Sequence, residues 1–197
     1  VVCRAAPAVD LNTPARKQLL ERIAALARKG PLQKARMTCA PWADKIQFRL
    51  GSGLSVLQPG EATEIIIAGM GAETVLEILD AAPWVRNEQY NFVFVPATKH
   101  SVLRKGLAQR GFALKSETLC RAAGRLYTVI NAQYTGRAAE PTGLACLCGK
   151  TQGQPEAQAY REQQLVKLKK YRLGLAPGPQ ADGVDALIQE MEDGLWP

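Results

Sequence analysis

Glycines that follow an apolar run are the first residues here with chemical potential. Glu64-Ile65-Ile66-Ile67-Ala68 is short and β-branched, and it breaks into Gly69-Met70-Gly71. A buried parallel strand running into a tight turn reads this way. Gly69 and Gly71 have no Cβ and so let a ligand approach the backbone, although close strand–helix packing gives the same pattern. Gly51-Ser52-Gly53 follows the alternating run Ile46 to Leu50, which reads as a strand. Thr98 and Lys99 stand past a third apolar run, Asn91 to Val95, which Pro96 ends. They offer a hydroxyl and a cation to a base or a phosphate, although a lysine placed like Lys99 is more often just a helix-start residue. Arg161, Lys167, Lys169, Lys170 and Arg172 crowd one later helical stretch. They suit phosphate contacts, or else they merely solubilise that helix.

Metal chemistry has little support. The five cysteines, Cys3, Cys39, Cys120, Cys146 and Cys148, are irregularly spaced, and Cys146-Leu147-Cys148 is too tight for the usual zinc pair. The single histidine, His100, is far from them in sequence. Reduced, unligated thiols in a cytoplasmic protein are expected, with no metal.

Elements to position these residues follow from periodicity. Leu19, Leu20, Ile23, Ala24 and Leu26 form a helical stripe over Pro14 to Lys29, with Thr13 as N-cap. A second helix opens at Pro31, a third runs from the glycine turn through Leu79, and a fourth from about Lys99 to Gln109. Phe112 to Glu117 and Leu126 to Tyr134 read as strands joined at Ala123-Gly124. The fold class is therefore α/β, with a sheet whose last strands are antiparallel. Residues 137–154, rich in Gly, Thr and Pro, are expected to be a linker between a sheet domain, 1–136, and a helical hairpin or coiled coil, 155–197. In that hairpin Leu165, Leu168 and Leu175 face Val184, Leu187 and Met191, with the turn at Gly174 to Gly183 and much of the positive charge left in solvent.

Charge is divided unevenly along the 197 residues. The net +7 splits into +6 over residues 1–40, −3 over 41–100, +5 over 101–136, +1 over 137–154, +3 over 155–176 and −5 over 177–197. Basic ends around an acidic middle suit a protein that holds a polyanion at its edges and a small cationic ligand at its centre; an ordinary solvated surface gives the same numbers. No apolar run approaches the ~18 residues of a membrane span, and no secretory leader is readable at Val1-Val2-Cys3-Arg4.

Read in order, five segments make a pattern: Lys29-Gly30-Pro31-Leu32, Phe48-Arg49-Leu50-Gly51-Ser52-Gly53-Leu54, Ile65-Ile66-Ile67-Ala68-Gly69-Met70-Gly71, Pro96-Ala97-Thr98-Lys99 and Gly124-Arg125-Leu126-Tyr127. Over about residues 28 to 136 this series resembles the bacterial tRNA (adenine-N1)-methyltransferase family, and the terminal hairpin is similar to that family's coiled-coil appendage. The resemblance implies a Rossmann-like methyltransferase sheet, S-adenosylmethionine as cofactor and tRNA as partner. It places Gly51, Ser52, Gly53, Ala68, Gly69, Met70 and Gly71 around the cofactor. Thr98, Lys99, Lys167, Lys169 and Lys170 would face the RNA.

The sequence also departs from the resembled pattern. Nothing matches the family's Asp-x-Gly-[Ser/Thr]-Asp-His loop after the first strand; Asp10-Leu11-Asn12-Thr13 is at best a remnant. The carboxylate that holds the ribose hydroxyls aligns with Leu26 if the chain is continuous there. In a second alignment Thr13 to Gly30 is the N-terminal helix and the first two strands are missing. Ser52 stands where the family has Asp, Ala72 where it has a second Gly, and Val95 where it has Gln. Two lost carboxylates, at about 1.5–3 kcal/mol each, weaken cofactor binding by roughly 10²–10⁴-fold. An inactive relative that binds RNA or a protein is the alternative reading.

Overall fold

Ile65, Ile67, Phe92 and Phe94 are almost wholly shielded from solvent, and the sheet is built around them. The computed structural model describes residues 2–4, 22–26 and 29–197. Its strands are β1 (Val2–Arg4), β2 (Arg22–Leu26), β3 (Ile46–Leu50), β4 (Glu64–Ala68), β5 (Asn91–Val95), β6 (Phe112–Ala122) and β7 (Arg125–Tyr134). They form one seven-stranded sheet in the order β3-β2-β1-β4-β5-β7-β6. As expected from their apolar runs, β4 and β5 are parallel neighbours in its interior, with Glu64 opposite Asn91 and Ala68 opposite Val95. β7 runs antiparallel to both β5 and β6. The β6–β7 turn is Ala123-Gly124, both at positive φ (48° and 74°), the backbone of a two-residue type I′ hairpin.

The helices are α1 (Lys29–Thr38), α2 (Ala72–Asp80), α3 (His100–Gln109), α4 (Gly143–Cys148), α5 (Ala157–Arg172) and α6 (Pro179–Glu192). Val75, Leu76, Ile78 and Leu79 of α2 join Leu103 and Leu107 of α3 in the main core. The two helices approach closely because α3 has Gly106 at the contact; a Cβ there would lie 2.4 Å from Leu76 Cδ1.

Two expectations are corrected. The stripe over Pro14 to Lys29 suggested a helix, but Arg22–Leu26 is a strand, paired parallel with β3 and antiparallel with β1. The sheet bonds available on both sides outweigh a helical periodicity, and the alignment without first strands is set aside. Thr13 and Asp10 to Asn12 lie outside the described residues. Further on, the expected linker 137–154 is packed: α4 lies within it, Thr142 Oγ1 accepts from Ala145 N–H at 3.1 Å, and Leu144, Cys146 and Cys148 are buried. Leu144 and Cys148 share a second core with Leu168, Val184 and Met191, so the hairpin rests on α4 as well as on itself. In the hairpin much of the positive charge is in solvent, as expected, with Lys167, Lys169 and Lys170 exposed. Arg161 is buried, donating to the carbonyls of Met191 and Leu195, with its guanidinium 5.1 Å from the Trp196 ring. Arg172 pairs with Asp185 at 2.7 Å and Lys169 with Glu192 at 2.5 Å.

A buried ion pair ties the hairpin to the sheet. Arg104 of α3 and Glu117 of β6 are both nearly inaccessible and meet at 2.8 Å. Arg104 also donates to the carbonyls of Cys146 (2.7 Å) and Leu147 (3.0 Å) on α4 and to the Tyr160 hydroxyl (3.0 Å) on α5. Glu117→Ala leaves that guanidinium buried without its counter-charge and should cost about 3–5 kcal/mol in urea unfolding, with the double change Arg104→Met, Glu117→Leu costing less. Equal losses for the two proteins would mean that the charge pairing contributes nothing.

Candidate functional site

The carboxyl ends of β4 and β5 are laced together by the backbone. Gly69 N–H donates to the Val95 carbonyl and Ala97 N–H to the Met70 carbonyl, each at 2.9 Å. A last parallel bridge joins Gly71 to Thr98. This clasp explains Gly71, where a Cβ would lie 3.3 Å from Thr98 Oγ1. Gly69 is different. Its φ of 73° favours glycine, it is exposed, and no described residue would come within 4 Å of a Cβ there. The chain's backbone is open at Gly69, beside the point where strand order reverses between β1 and β4. Ligands of open α/β sheets sit at such points.

Ala68 is exposed at the strand end and Met70 half-buried, packing against the main core. Gly51, Ser52 and Gly53 lie at the same end of the sheet, three strand spacings away, or about 14 Å. Their two glycines answer to packing: a Cβ at Gly51 would fall 2.1 Å from Val56 Cγ1, and one at Gly53 (φ 56°) 2.8 Å from Ile78 Cγ1. Ser52 is exposed, and its carbonyl accepts from Ser55 Oγ at 2.7 Å. Leu26 closes β2 opposite Leu50. β1 runs antiparallel to β4, with Arg4 opposite Glu64, so its carboxyl end points away from the Gly69 turn.

Lys99 adopts the left-handed conformation (φ 57°, ψ 47°), uncommon for a residue with a side chain, and caps α3. Its ammonium pairs with Glu73 in the first turn of α2, which joins the two strand-to-helix turns from outside. That bond holds the Glu73 carboxyl below its ordinary range.

Between the start of α3 and the side of α5 is a cavity of about 700 Å³. Thr98, Lys99 and His100 line it from one side, and Gln164, Lys167 and Tyr171 from the other. Thr98 and Lys99 are therefore brought together with Lys167, whereas Lys169 and Lys170 are not among the lining residues. His100 Nδ1 lies 3.2 Å from the Tyr160 hydroxyl and 3.4 Å from Thr128 Oγ1, and its ring stacks on Tyr160 at 6.1 Å. Burial, then the charges of Arg104 and Lys167, push His100 down to about 4, against a hydrogen bond to the Pro96 backbone. The imidazole is thus neutral and able to accept from Tyr160, which accepts from Arg104. Among the described residues no group of three or more His, Cys, Asp or Glu could hold a metal ion, and no helix is long and apolar enough to cross a membrane. Cys39, Cys120, Cys146 and Cys148 are free thiols.

Residues 11–130 match the methyltransferase domain family. The chain belongs to that family. It is 31% identical over 126 residues to the tRNA (adenine(22)-N(1))-methyltransferase of Bacillus subtilis, covering 64% of this chain and 52% of the relative. It thus spans about half the length of that curated relative. A protein of the NADB-Rossmann superfamily from Streptococcus agalactiae superposes with a TM-score of 0.70 at 21% identity, over 87% of this chain and 78% of the other. TrmK of M. capricolum, in complex with the cofactor product S-adenosyl-homocysteine, gives 0.65 at 18% identity, over 87% and 79%. The fold is Rossmann-like, with helices at the C-terminus.

For a methyltransferase domain, the residues that sequence reasoning missed are polar ones on buried helix faces. Tyr160, Arg161 and Gln164 are buried on α5 beside Leu168, which belongs to the expected apolar stripe. Arg104 and His100 are four residues apart on α3, a spacing that stacks them on one face. Neither pattern separates a buried polar residue from a solvated one in sequence.

Folded protein keeps His100 neutral down to about pH 4, while an unfolded chain takes up that proton near pH 6.5. The unfolded state binds more protons between those values. Stability should therefore fall as pH drops from 6.5 towards 4, by up to about 3 kcal/mol. His100→Gln should flatten that part of the profile in urea unfolding at successive pH values; an unchanged slope would show that His100 is not its source.

Proposed function

We propose that this chain is an S-adenosylmethionine-dependent methyltransferase acting on N1 of an adenine in tRNA, in the cytoplasm. The observation that carries the reading is the pair of laced turns after β4 and β5. They present the open Gly69 backbone on one side and Thr98 on the other, with Lys167 of the hairpin across the adjoining cavity. The name of the B. subtilis relative supplies the substrate class.

The chemistry asks little of the side chains. S-adenosylmethionine supplies an electrophilic methyl on a sulfonium. Adenine N1 bears an in-plane lone pair and needs no prior deprotonation, so no general base is required of this chain. Its work is positioning. Gly69 and Met70 offer close backbone approach, Gly71 and Thr98 hold the two turns at fixed separation, and the neighbouring Lys99–Glu73 pair fixes the left-handed start of α3. N1 lies on the Watson–Crick edge, so the base must be unpaired or extruded to reach the turns.

Leu26 and Ser52, at strand ends where the resembled family carries carboxylates, bear on affinity. We expect calorimetric titration to give a dissociation constant for S-adenosylmethionine weaker than about 100 μM. A low-micromolar value would mean that other residues compensate. No methyl transfer at saturating cofactor, with tRNA binding retained, would favour the inactive RNA-binding relative.

The hairpin is expected to contribute phosphate contacts. Neutralising Lys167, Lys169 and Lys170 together should lower tRNA affinity and flatten its salt dependence by up to about three units of log–log slope. Because Lys169 is already paired with Glu192, the loss should fall short of that limit. Unchanged affinity and slope would remove the hairpin from the RNA interface.

A further inference from the structure

Gln164 is 7% exposed, and its Nε2 has no hydrogen-bond partner among the described residues. Buried amide groups in folded proteins are almost always paired, so an orphan donor needs an explanation. Gln164 sits in the wall of the cavity between α3 and α5, which at about 700 Å³ falls within the roughly 300–1,000 Å³ range of small-ligand sites. We infer that this cavity is a subsite for a single nucleotide of bound RNA, next to the one that is methylated, with Lys167 holding its phosphate and the Gln164 amide turning its unpartnered, inward-facing Nε2 out to donate to the base. The inference rests on the tRNA reading proposed above.

Each wall supplies part of what an unstacked nucleotide needs. Gln164 sides with the buried end, where an amide can read an acceptor on a base edge. Lys167 is exposed and has no ion-pair partner within 4 Å among the described residues, whereas Lys99 is engaged by Glu73 and Lys169 by Glu192. Tyr171, 49% exposed, and Val102, 41% exposed, give an aromatic ring and an apolar edge at the rim, and single-stranded RNA is commonly held by stacking on such rings. The neutral His100 on the opposite wall is committed to Tyr160 and adds no competing charge. The cavity begins at Thr98, the residue that also closes the clasp beside Gly71, so a nucleotide in it is continuous with a base placed at the strand ends.

Base and phosphate contacts separate in a salt series. With the full chain and an unmodified tRNA transcript, Gln164→Leu should lower affinity about tenfold at every salt concentration and leave the slope unchanged. Lys167→Ala should lower the slope by about one unit. Because Nε2 has no hydrogen-bond partner among the described residues, Gln164→Leu should leave the melting temperature unchanged or raised. Gln164→Met, of similar length, serves the same comparison if leucine perturbs the fold. An affinity within twofold of the unaltered protein for either folded variant would overturn the subsite. If the unaltered protein itself fails to bind the transcript, the tRNA reading falls and the subsite with it; if it binds and only the Gln164 variants are silent, the subsite alone falls.

Discussion

The contact between Arg104 and Glu117 governs how the parts of this molecule stand to one another. A guanidinium removed from water is tolerable only when a carboxylate and further acceptors surround it. Here the carboxylate comes from β6, two carbonyls from α4 and a hydroxyl from α5, so one side chain of α3 specifies the position of three other elements. Gly149 is part of the same constraint. A Cβ there would lie 2.5 Å from Arg104 Nε and from both Glu117 oxygens, and its φ of 62° suits the turn that brings Lys150 N–H to Glu117 at 3.2 Å. The ion pair is therefore less a source of net stability than a device of register. It sets the hairpin beside the start of α3 and so creates the cavity at Thr98.

The site uses glycine in two physically different ways. At Gly51, Gly53 and Gly71 the missing Cβ makes room for the protein itself. At Gly69 it leaves room for something else. A motif scan weighs these four positions alike, whereas the coordinates separate the one that can receive a ligand from the three that answer to packing. The unusual backbone of Lys99 belongs with Gly69: both lie at the ends of parallel strands, and in each case the turn is held from outside, by Val95 or by Glu73.

Much of this was legible in the residues. β4, β5 and their parallel pairing follow from runs that only a doubly covered strand can carry. The β6–β7 turn follows from Ala123-Gly124. Where the reading failed, long-range pairing had outweighed local pattern. Arg22–Leu26 has the spacing of a helix and becomes a strand because β1 and β3 lie on either side of it. Residues 137–154 have the composition of a linker, yet Leu144 and Cys148 are claimed by a core whose other half lies more than fifteen residues away in sequence. The polar stripe of α5 was illegible for a related reason. Arg161 and Gln164 look like surface residues until the elements that cover them are known.

The short first strand gives the sheet a seam. Among the described residues, β2 and β3 reach β4 through the pairing of Val2, Cys3 and Arg4, while β4, β5, β7 and β6 are joined by longer ladders. Among the described residues, α1 buries no side chain to reinforce that join. Among the described residues, opening the seam breaks the three-residue pairings of β1, which makes the β2–β3–α1 block a candidate unit of local unfolding. The Gly51–Gly53 turn straddles the two regimes, because Leu54 and Leu57 just beyond it are anchored in the main core. Whatever settles against Ser52 and Gly69 together would bridge the seam from above, and ligand binding and closure of the sheet would then draw on the same free energy.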